Sequence, residues 1–480
     1  MTTPASDSSP LGSSSAKTLR VAVIGGGITG LHAALECAGA GAHAIVVERG
    51  PVVGGRLAAP MTNATAIGNR AEGIEIPLFA ALAGNDKIEI LTNSTLEKIS
   101  GGPGNFTVSI RERARFVTDA CTRCKLCHTA CPVVRPNEFD AGLTFRKAIY
   151  TPMAETLPAP YVIDIDSCLN TPPNYLPCNR CVEVCEDDAI FFDLPLQTAH
   201  ERHVGAVILA PGFRIEDSNA YKDLGFGLHP DILTSAELQR LLESPGPTGG
   251  YASKPSNEEY PESVLLVLDE LSPFGLYIVA SQARQLLEQD VETVAVLVLS
   301  QPGSGPEFEE AQQLAEVTGI SVGWGTMFKV DANADGVLEV SYEDFSAHRF
   351  VKASYDMVVI CTDVEPPAGI DELARAADVG LANTGYLAVT QSNGVGIATT
   401  QKGIFVAGCA SGAKNIKDSI AEAHAAASAA LAQLDPRVLG GDAAEAPATG
   451  TAKTIAPEVA ADLQGQIEKL LHALLERPGG

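Results

Sequence analysis

Eight of the eleven cysteines fall between positions 121 and 185, in two groups of four. The first group is Cys121, Cys124, Cys127 and Cys131, followed directly by Pro132. The second is Cys168, Cys178, Cys181 and Cys185. Thiolates are ligands for soft metals, and C-x2-C-x2-C-x3-C-P is a spacing by which they hold [4Fe–4S] clusters, the fourth thiolate crossing to the neighbouring cluster. On that pattern Cys121, Cys124, Cys127 and Cys185 hold one cluster, and Cys168, Cys178, Cys181 and Cys131 hold the other. Pro132 ends any helix begun by the first loop. The second group departs from the pattern: nine residues, Leu169 to Pro177, separate its first two cysteines, and Glu186 replaces the proline. Without Cys168 as a ligand that cluster would be [3Fe–4S] or labile. Ile165 and Ile190 flank the group as they do in ferredoxin domains, which favours [4Fe–4S]. Two zinc knuckles are the bland alternative, but tetrahedral zinc wants two C-x2–4-C pairs, which the first triple spacing does not offer. Two such clusters move single electrons.

A second constellation lies upstream. Gly25-Gly26-Gly27-Ile28-Thr29-Gly30 reads G-x-G-x-x-G directly after the apolar run Leu19–Ile24. Gly25 permits the tight turn, Gly27 lets backbone approach a pyrophosphate, and Gly30 lets the helix seat on the strand. The helix N-terminus then faces the phosphates. Glu48, with Arg49 beside it, stands 18 residues past Gly30 at the end of the next strand, where an acid binds ribose hydroxyls. A Gly turn of purely structural use is the alternative, weakened by strand, helix and acid all falling in place.

These residues need elements to hold them. At 480 residues the chain is expected to form two or three domains. Leu19–Ile24, a helix over about 29–40 and Ala44–Glu48 make a βαβ start. Residues 88–110 alternate as a meander or hairpin, with Gly101-Gly102-Pro103-Gly104 as the turn. Val204–Leu209 reads as a buried strand ending at Ala210-Pro211-Gly212. A second strand–helix–strand unit covers Val264–Leu268, a helix to Glu288, and Thr293–Leu299. A hairpin is expected over 336–342 and 349–353, core strands over Met357–Cys361 and Gly403–Gly408, and a long Ala-rich helix over about 415–434. Residues 457–476 read as an amphipathic helix, either a docking element for a partner or a segment packed on its own domain. The expected division is a disordered tail (1–18), the first nucleotide-binding domain in three pieces (19–115, 196–250, 371–435), the cysteine-rich insert (116–195), a second nucleotide-binding-like domain (251–370), and a linker with the terminal helix (436–480).

Other signals are weaker. After Leu268 come Asp269-Glu270-Leu271-Ser272-Pro273-Phe274-Gly275, with one glycine and acids where phosphates would sit, so nicotinamide binding there is not expected. Asp331-x-Asn333-x-Asp335-Gly336 resembles a calcium loop, but Tyr342 holds its twelfth position, and an Asp-Gly hairpin explains it better. Cys37 and Cys361 read as small buried hydrophobes. A net charge of −26 without Lys/Arg clusters argues against nucleic acid. No run of about 18 apolar residues predicts a membrane span. Clustered thiols without an export signal suggest a reducing, cytoplasmic location.

Gly54-Gly55-Arg56 after the acid, the strand end at Gly212, and Gly403–Gly408 resemble motifs of two-dinucleotide-binding-domain flavoproteins and point to FAD. In that class an Asp usually follows the last Gly and holds the ribityl chain; here Cys409 stands there. The helix after Lys414 would aim its positive end at the flavin pyrimidine. Lys414 is the candidate catalytic residue, adding a charge there, with a solvent-facing helix-start lysine as the alternative.

More specifically, the chain resembles the HdrA family, the flavin and iron–sulfur subunits of heterodisulfide reductase, over 19–435. The resemblance is carried by Val23-Ile24-Gly25-Gly26-Gly27-Ile28-Thr29-Gly30, Gly54-Gly55-Arg56, the cysteine block, Pro136-Asn137-Glu138-Phe139-Asp140, Arg146-Lys147-Ala148-Ile149-Tyr150, Gly246-Pro247-Thr248-Gly249-Gly250 and Phe405-Val406-Ala407-Gly408-Cys409-Ala410. It implies an α/β, thioredoxin-reductase-like two-dinucleotide-binding-domain flavoprotein with an inserted α+β bacterial-type 2[4Fe–4S] ferredoxin domain. It also implies a homodimeric core inside a multi-subunit electron-transfer complex, and splitting of electron pairs at the flavin. Residues 57–120 and 262–290 lack the extra cluster cysteines of methanogen members. The rival expectations are a self-contained NAD(P)H-dependent flavin oxidoreductase, which NADH or NADPH alone would bleach, and an assembly protein with degenerate, colourless sites.

Overall fold

The computed structural model describes residues 19–55, 75–152, 156–244, 246–269, 273–303, 320–333, 336–392 and 395–434. The expectations for 1–18, Arg56 and 436–480, including the amphipathic helix at 457–476, lie outside them.

The chain opens as the sequence predicts, with β1 (Arg20–Ile24), α1 (Ile28–Gly39) and β2 (His43–Val47). Each strand is an apolar run buried on both faces, as a central parallel strand requires. They lie in a seven-stranded sheet ordered 390–392, 395–398, 404–406, 206–209, β1, β2, 88–91, of which the last five are parallel. Small residues of α1 and of the long helix Ile416–Leu434 (Ala33, Ala34, Ala426, Ala430) close one face. An antiparallel three-stranded sheet (Ser94–Gly102, Asn105–Arg113, Gln197–Val204) closes the other through Phe106, Val108 and Ile110. The meander or hairpin expected at 88–110 is strand Ile88–Leu91 plus a hairpin turning at Pro103-Gly104, and Gln197–Val204, returning from beyond the cysteine block, adds a third strand to it. Arg113 pairs with Gln197, so the block leaves and rejoins this sheet on one rung.

The second sheet also has seven strands, ordered 232–234, 357–361, 263–268, 293–298, 321–332, 338–344, 349–355, the first five parallel. It begins at Ile232, ahead of the boundary expected at 251. The cause is local: Thr234 and Glu237 form a reciprocal capping box that starts helix Ser235–Leu242 on this sheet. Helix Pro273–Glu288 buries Ile278, Val279 and Leu286 completely, each contributing about 2 kcal/mol. Of the residues resembling a calcium loop, Asp331 lies in the strand 321–332 that pairs with 338–344, and Asn333 N–H donates to the Val337 carbonyl at 2.9 Å; Asp335 lies outside the described residues. Antiparallel pairing of Arg214–Ile215 with Val364–Glu365 forms the crossing between the two sheets.

Residues 116–195 form a lobe with its own core, in which Phe116, Ile149, Tyr161, Ile163 and Ile190 surround buried Cys127, Cys168 and Cys181. A bridge from Val117 to Ile190 ties its two ends together. Among the described residues no helix is long and apolar enough to cross a membrane.

Candidate cofactor sites

Gly25 and Gly30 of the Gly-rich turn are packed too tightly for side chains. Gly25 has φ 112°, and a Cβ there would stand 2.1 Å from the Ala210 carbonyl oxygen. A Cβ on Gly30 would lie 1.9 Å from the Gly25 carbonyl oxygen, so α1 can seat on β1 only with glycine at that position. Gly54 N–H donates to the Gly26 carbonyl at 2.8 Å, and a Cβ on Gly55 would come within 2.8 Å of Gly27 Cα. The second glycine pair thus stacks on the first turn, which is its physical reason. Arg56 lies outside the described residues.

Two cavities meet at this turn, sharing Gly25, Glu48, Arg49 and Pro211. One, of about 600 Å³, extends past Ser94–Glu97 and Pro367–Gly369. The other, of about 390 Å³, extends past Thr29, Gly55, Gly212, Cys409 and Lys414 to Glu138 and Phe139 of the lobe. A long ligand with phosphates at its middle fits such a pair, with the start of α1 at the junction. FAD passes this test: glycines keep the junction open, and an acid and a helix N-terminus face it.

Glu48 accepts from Gly26 N–H and Gly50 N–H, each at 2.6 Å. Burial pushes its carboxyl above the usual range, while those two N–H groups and Arg49 pull the other way. Each oxygen keeps a lone pair for a ribose hydroxyl. Arg49 donates outward to the Ala368 carbonyl. Gly212 adopts φ 73° and lines the second cavity.

Lys414 lines the second cavity and is held by protein groups. Its Nζ donates to the Gly408 carbonyl at 3.0 Å and to Ser411 Oγ at 2.7 Å, and lies 3.5 Å from the Glu422 carboxylate. Glu422 in turn accepts Gly408 N–H at 2.9 Å, so the pair grips both ends of one residue. Gly408 has φ 67°, and a Cβ there would meet Thr29 Oγ1 at 2.4 Å. Cys409 is buried on the cavity wall, its thiol raised chiefly by burial. Sequence reasoning misses the part played by Glu422. It is an isolated acid in an Ala-rich run, and nothing local gives its direction.

The eight thiols gather as two neighbouring sets. Burial first, then Cys121, Cys124 and Cys185, push Cys127 up to about 11. Burial, then Cys168, Cys131, Cys127 and Cys178, push Cys181 up to about 12. A small cavity is walled by Cys131, Cys168, Cys178 and Cys181. The first loop is wound tightly: Arg123 and Lys125, on either side of Cys124, hold φ of 62° and 70°, sparsely populated for such residues. Among the described residues no three His, Cys, Asp or Glu side chains converge on a single ion. A four-iron cluster held at four separate corners does not require that convergence. The cysteine sets fit two such clusters.

Arginines tie the lobe to the loop after β2 and to the second domain. Arg115 donates to the carbonyls of Pro51 (2.6 Å), Pro160 (2.7 Å) and Tyr161 (3.1 Å). Asp140 accepts from Arg240 of the second domain at 2.7 Å.

Fold and turn together define a two-sheet protein of the dinucleotide-binding class, and a family model described as FAD dependent oxidoreductase matches residues 20–112. The A-type iron–sulfur subunit of CoB–CoM heterodisulfide reductase from Methanocaldococcus jannaschii is 30% identical over 423 residues, covering 85% of this chain and 63% of its own. A protein of Archaeoglobus profundus, named as similar to that same heterodisulfide reductase component, is 30% identical over 469 residues, covering 87% and 66%. Over 85–87% of its length the chain is thus similar to HdrA-type subunits of heterodisulfide reductase. It spans just under two thirds of the length of these curated relatives. Thioredoxin reductase of Lactococcus lactis superposes with a TM-score of 0.47 at 14% identity, over 87% of this chain and 99% of its own. The fold class rests instead on the two sheet orders given above.

Proposed function

We propose that this chain is the flavin and iron–sulfur electron-transfer subunit of a heterodisulfide-reductase-like oxidoreductase complex. FAD occupies the paired cavities, and two [4Fe–4S] clusters occupy the cysteine sets, Cys121, Cys124, Cys127 and Cys185 in one and Cys131, Cys168, Cys178 and Cys181 in the other. FAD exchanges electrons in pairs or singly and the clusters carry one at a time, so together they supply a step between two-electron and one-electron chemistry. The protein's part is to hold the groups. The start of α1 and the glycine pair seat the phosphates, Glu48 accepts from ribose, and Lys414 with Glu422 fixes the Gly408 turn on the flavin side.

The observation that carries this reading is the sharing of one cavity between the Gly-rich turn and the cysteine lobe. The other cysteines, Cys37, Cys361 and Cys409, are each buried in a different place and form no dithiol, so a disulfide substrate belongs to a partner protein. Partner subunits, a homodimeric core and a cytoplasmic, reducing location are parts of the same reading. It assigns one single-electron exit, the lobe; splitting electron pairs at the flavin, which the resemblance also implies, needs a second.

Anaerobic purification with flavin, iron and sulfide analysis tests it. The expected content is one FAD and about eight irons per chain. Cys127→Ser should remove about half of the iron and change the paramagnetic signal of the reduced protein. Colourless, iron-free protein after anaerobic reconstitution would sink the reading.

A further inference from the structure

Glu138 and Phe139 belong to the cysteine lobe, yet they line the same cavity as Cys409 and Lys414 of the first domain. They sit at the tip of a short hairpin whose strands are Arg135–Pro136 and Phe145–Arg146. We infer that this tip is the wall that closes the cofactor cavity, and that FAD binding is thermodynamically coupled through it to filling of the second cysteine set. The inference rests on the proposed function for the identity of both groups.

The tip holds its own shape. Asn137 Oδ1 accepts Phe139 N–H at 3.2 Å, and Asn137 Nδ2 donates to Asp140 at 2.7 Å. The Phe139 ring lies 5.9 Å from the Tyr150 ring, over which the Arg146 guanidinium sits at 4.0 Å. Arg146 is buried and clasps both Glu138 oxygens at 2.6 Å, and it reaches Asp164 at 2.9 Å. Asp164 also accepts from Arg135 and from Ser167 Oγ, at 2.8 and 2.6 Å.

That network ends on the thiol-bearing backbone. The Asp164 carbonyl accepts Cys168 N–H at 2.9 Å, and the other strand of the hairpin leaves directly from Cys131 and Pro132. Cys131 and Cys168 wall the same small cavity. A group bonded to both thiols fixes both roots of the hairpin, and with them the position of Phe139. Whatever strengthens one site through a shared element must strengthen the other by the same factor.

The test measures FAD affinity of the full chain by anaerobic equilibrium dialysis, with iron content and the absorption spectrum of bound flavin recorded for each variant. Phe139→Ala is expected to weaken FAD roughly 5- to 150-fold and shift the flavin spectrum while iron content stays at wild type. Phe139→Tyr, which keeps the ring, should restore both. Cys168→Ser, deficient in second-set iron, should weaken FAD comparably, and the double variant should be no weaker than the worse single one. If Phe139→Ala loses its iron, Glu138→Gln carries the test, since it keeps ring and thiols but leaves Arg146 one neutral acceptor in place of two charged ones; its effect should be smaller and in the same direction. Unchanged affinity and spectrum in Phe139→Ala, or fully additive losses in the double variant, overturn the inference and leave the proposed function standing. Wild-type protein that binds no FAD overturns both.

Discussion

The two seven-stranded sheets run five strands in parallel and finish in an antiparallel pair, and each has a strand–helix–strand unit near its middle. They part company at one turn. In the first, β1 runs into three consecutive glycines whose backbone leaves room beside Glu48. In the second, strand Ser263–Leu268 runs into Asp269-Glu270, acids that would repel a phosphate. On the function proposed above, the same architecture supports a ligand in one case and serves as scaffold in the other. Binding capacity resides in a few residues at a strand end, not in the sheet.

The sharpest way to break this contrast is to put a side chain in the first turn. Gly30→Val would place carbon against the Gly25 carbonyl, so we expect loss of FAD and a stability loss of about 3 kcal/mol or more, read by flavin content and thermal melting. Glu48→Gln should weaken FAD about tenfold, corresponding to about 1.5 kcal/mol for a lost charged hydrogen bond, measured by dialysis. The same variant should change the pH dependence of the FAD-free protein. Burial holds the Glu48 carboxyl above its ordinary value of 4.5. Ionising it therefore costs stability, a cost absent below pH 4.5 that grows as pH rises toward the folded value. Denaturant titrations should accordingly show a flatter pH profile above 4.5 in the variant, and an unchanged slope would refute the assignment. A side chain added inside a strand of the second sheet, away from any such turn, should hardly register: a Cβ on Gly323 meets its nearest atom at 3.6 Å, so Gly323→Ala should stabilise by about 0.5 kcal/mol. Last, NADH or NADPH alone should leave the flavin spectrum unchanged; bleaching would mean the second sheet binds a dinucleotide after all.

Local patterns explain what could be read from the chain. The β1–α1–β2 unit, the glycine spacing and each cysteine group are written in short stretches of neighbouring residues. Strand Gln197–Val204 escapes a local reading because it is half-exposed and largely polar, and gains its place only by pairing with Asn105–Arg113. Strand Ser321–Ala332 carries two glycines and a bulge, which blur its alternation. Helix Ser235–Leu242 does carry a local sign, Thr234-x-x-Glu237, which is easily missed in a polar stretch. Lys414 cannot be placed from sequence, because its partners depend on how Gly408 folds over Thr29. Nor can Glu138 and Phe139, whose role depends on packing between distant segments.

The shared rung of Arg113 and Gln197 gives the cysteine lobe the standing of a detachable module. Chain lengthened between paired residues costs little closure entropy, since the penalty grows only with the logarithm of length. Residues 114–196 are thus, in mechanical terms, an oversized hairpin loop, and joining the two strands by a tight turn would leave every rung of that sheet in register. A lineage could acquire or shed the lobe at this point without disturbing the sheet, but the wall that Glu138 and Phe139 give the cavity would go with it.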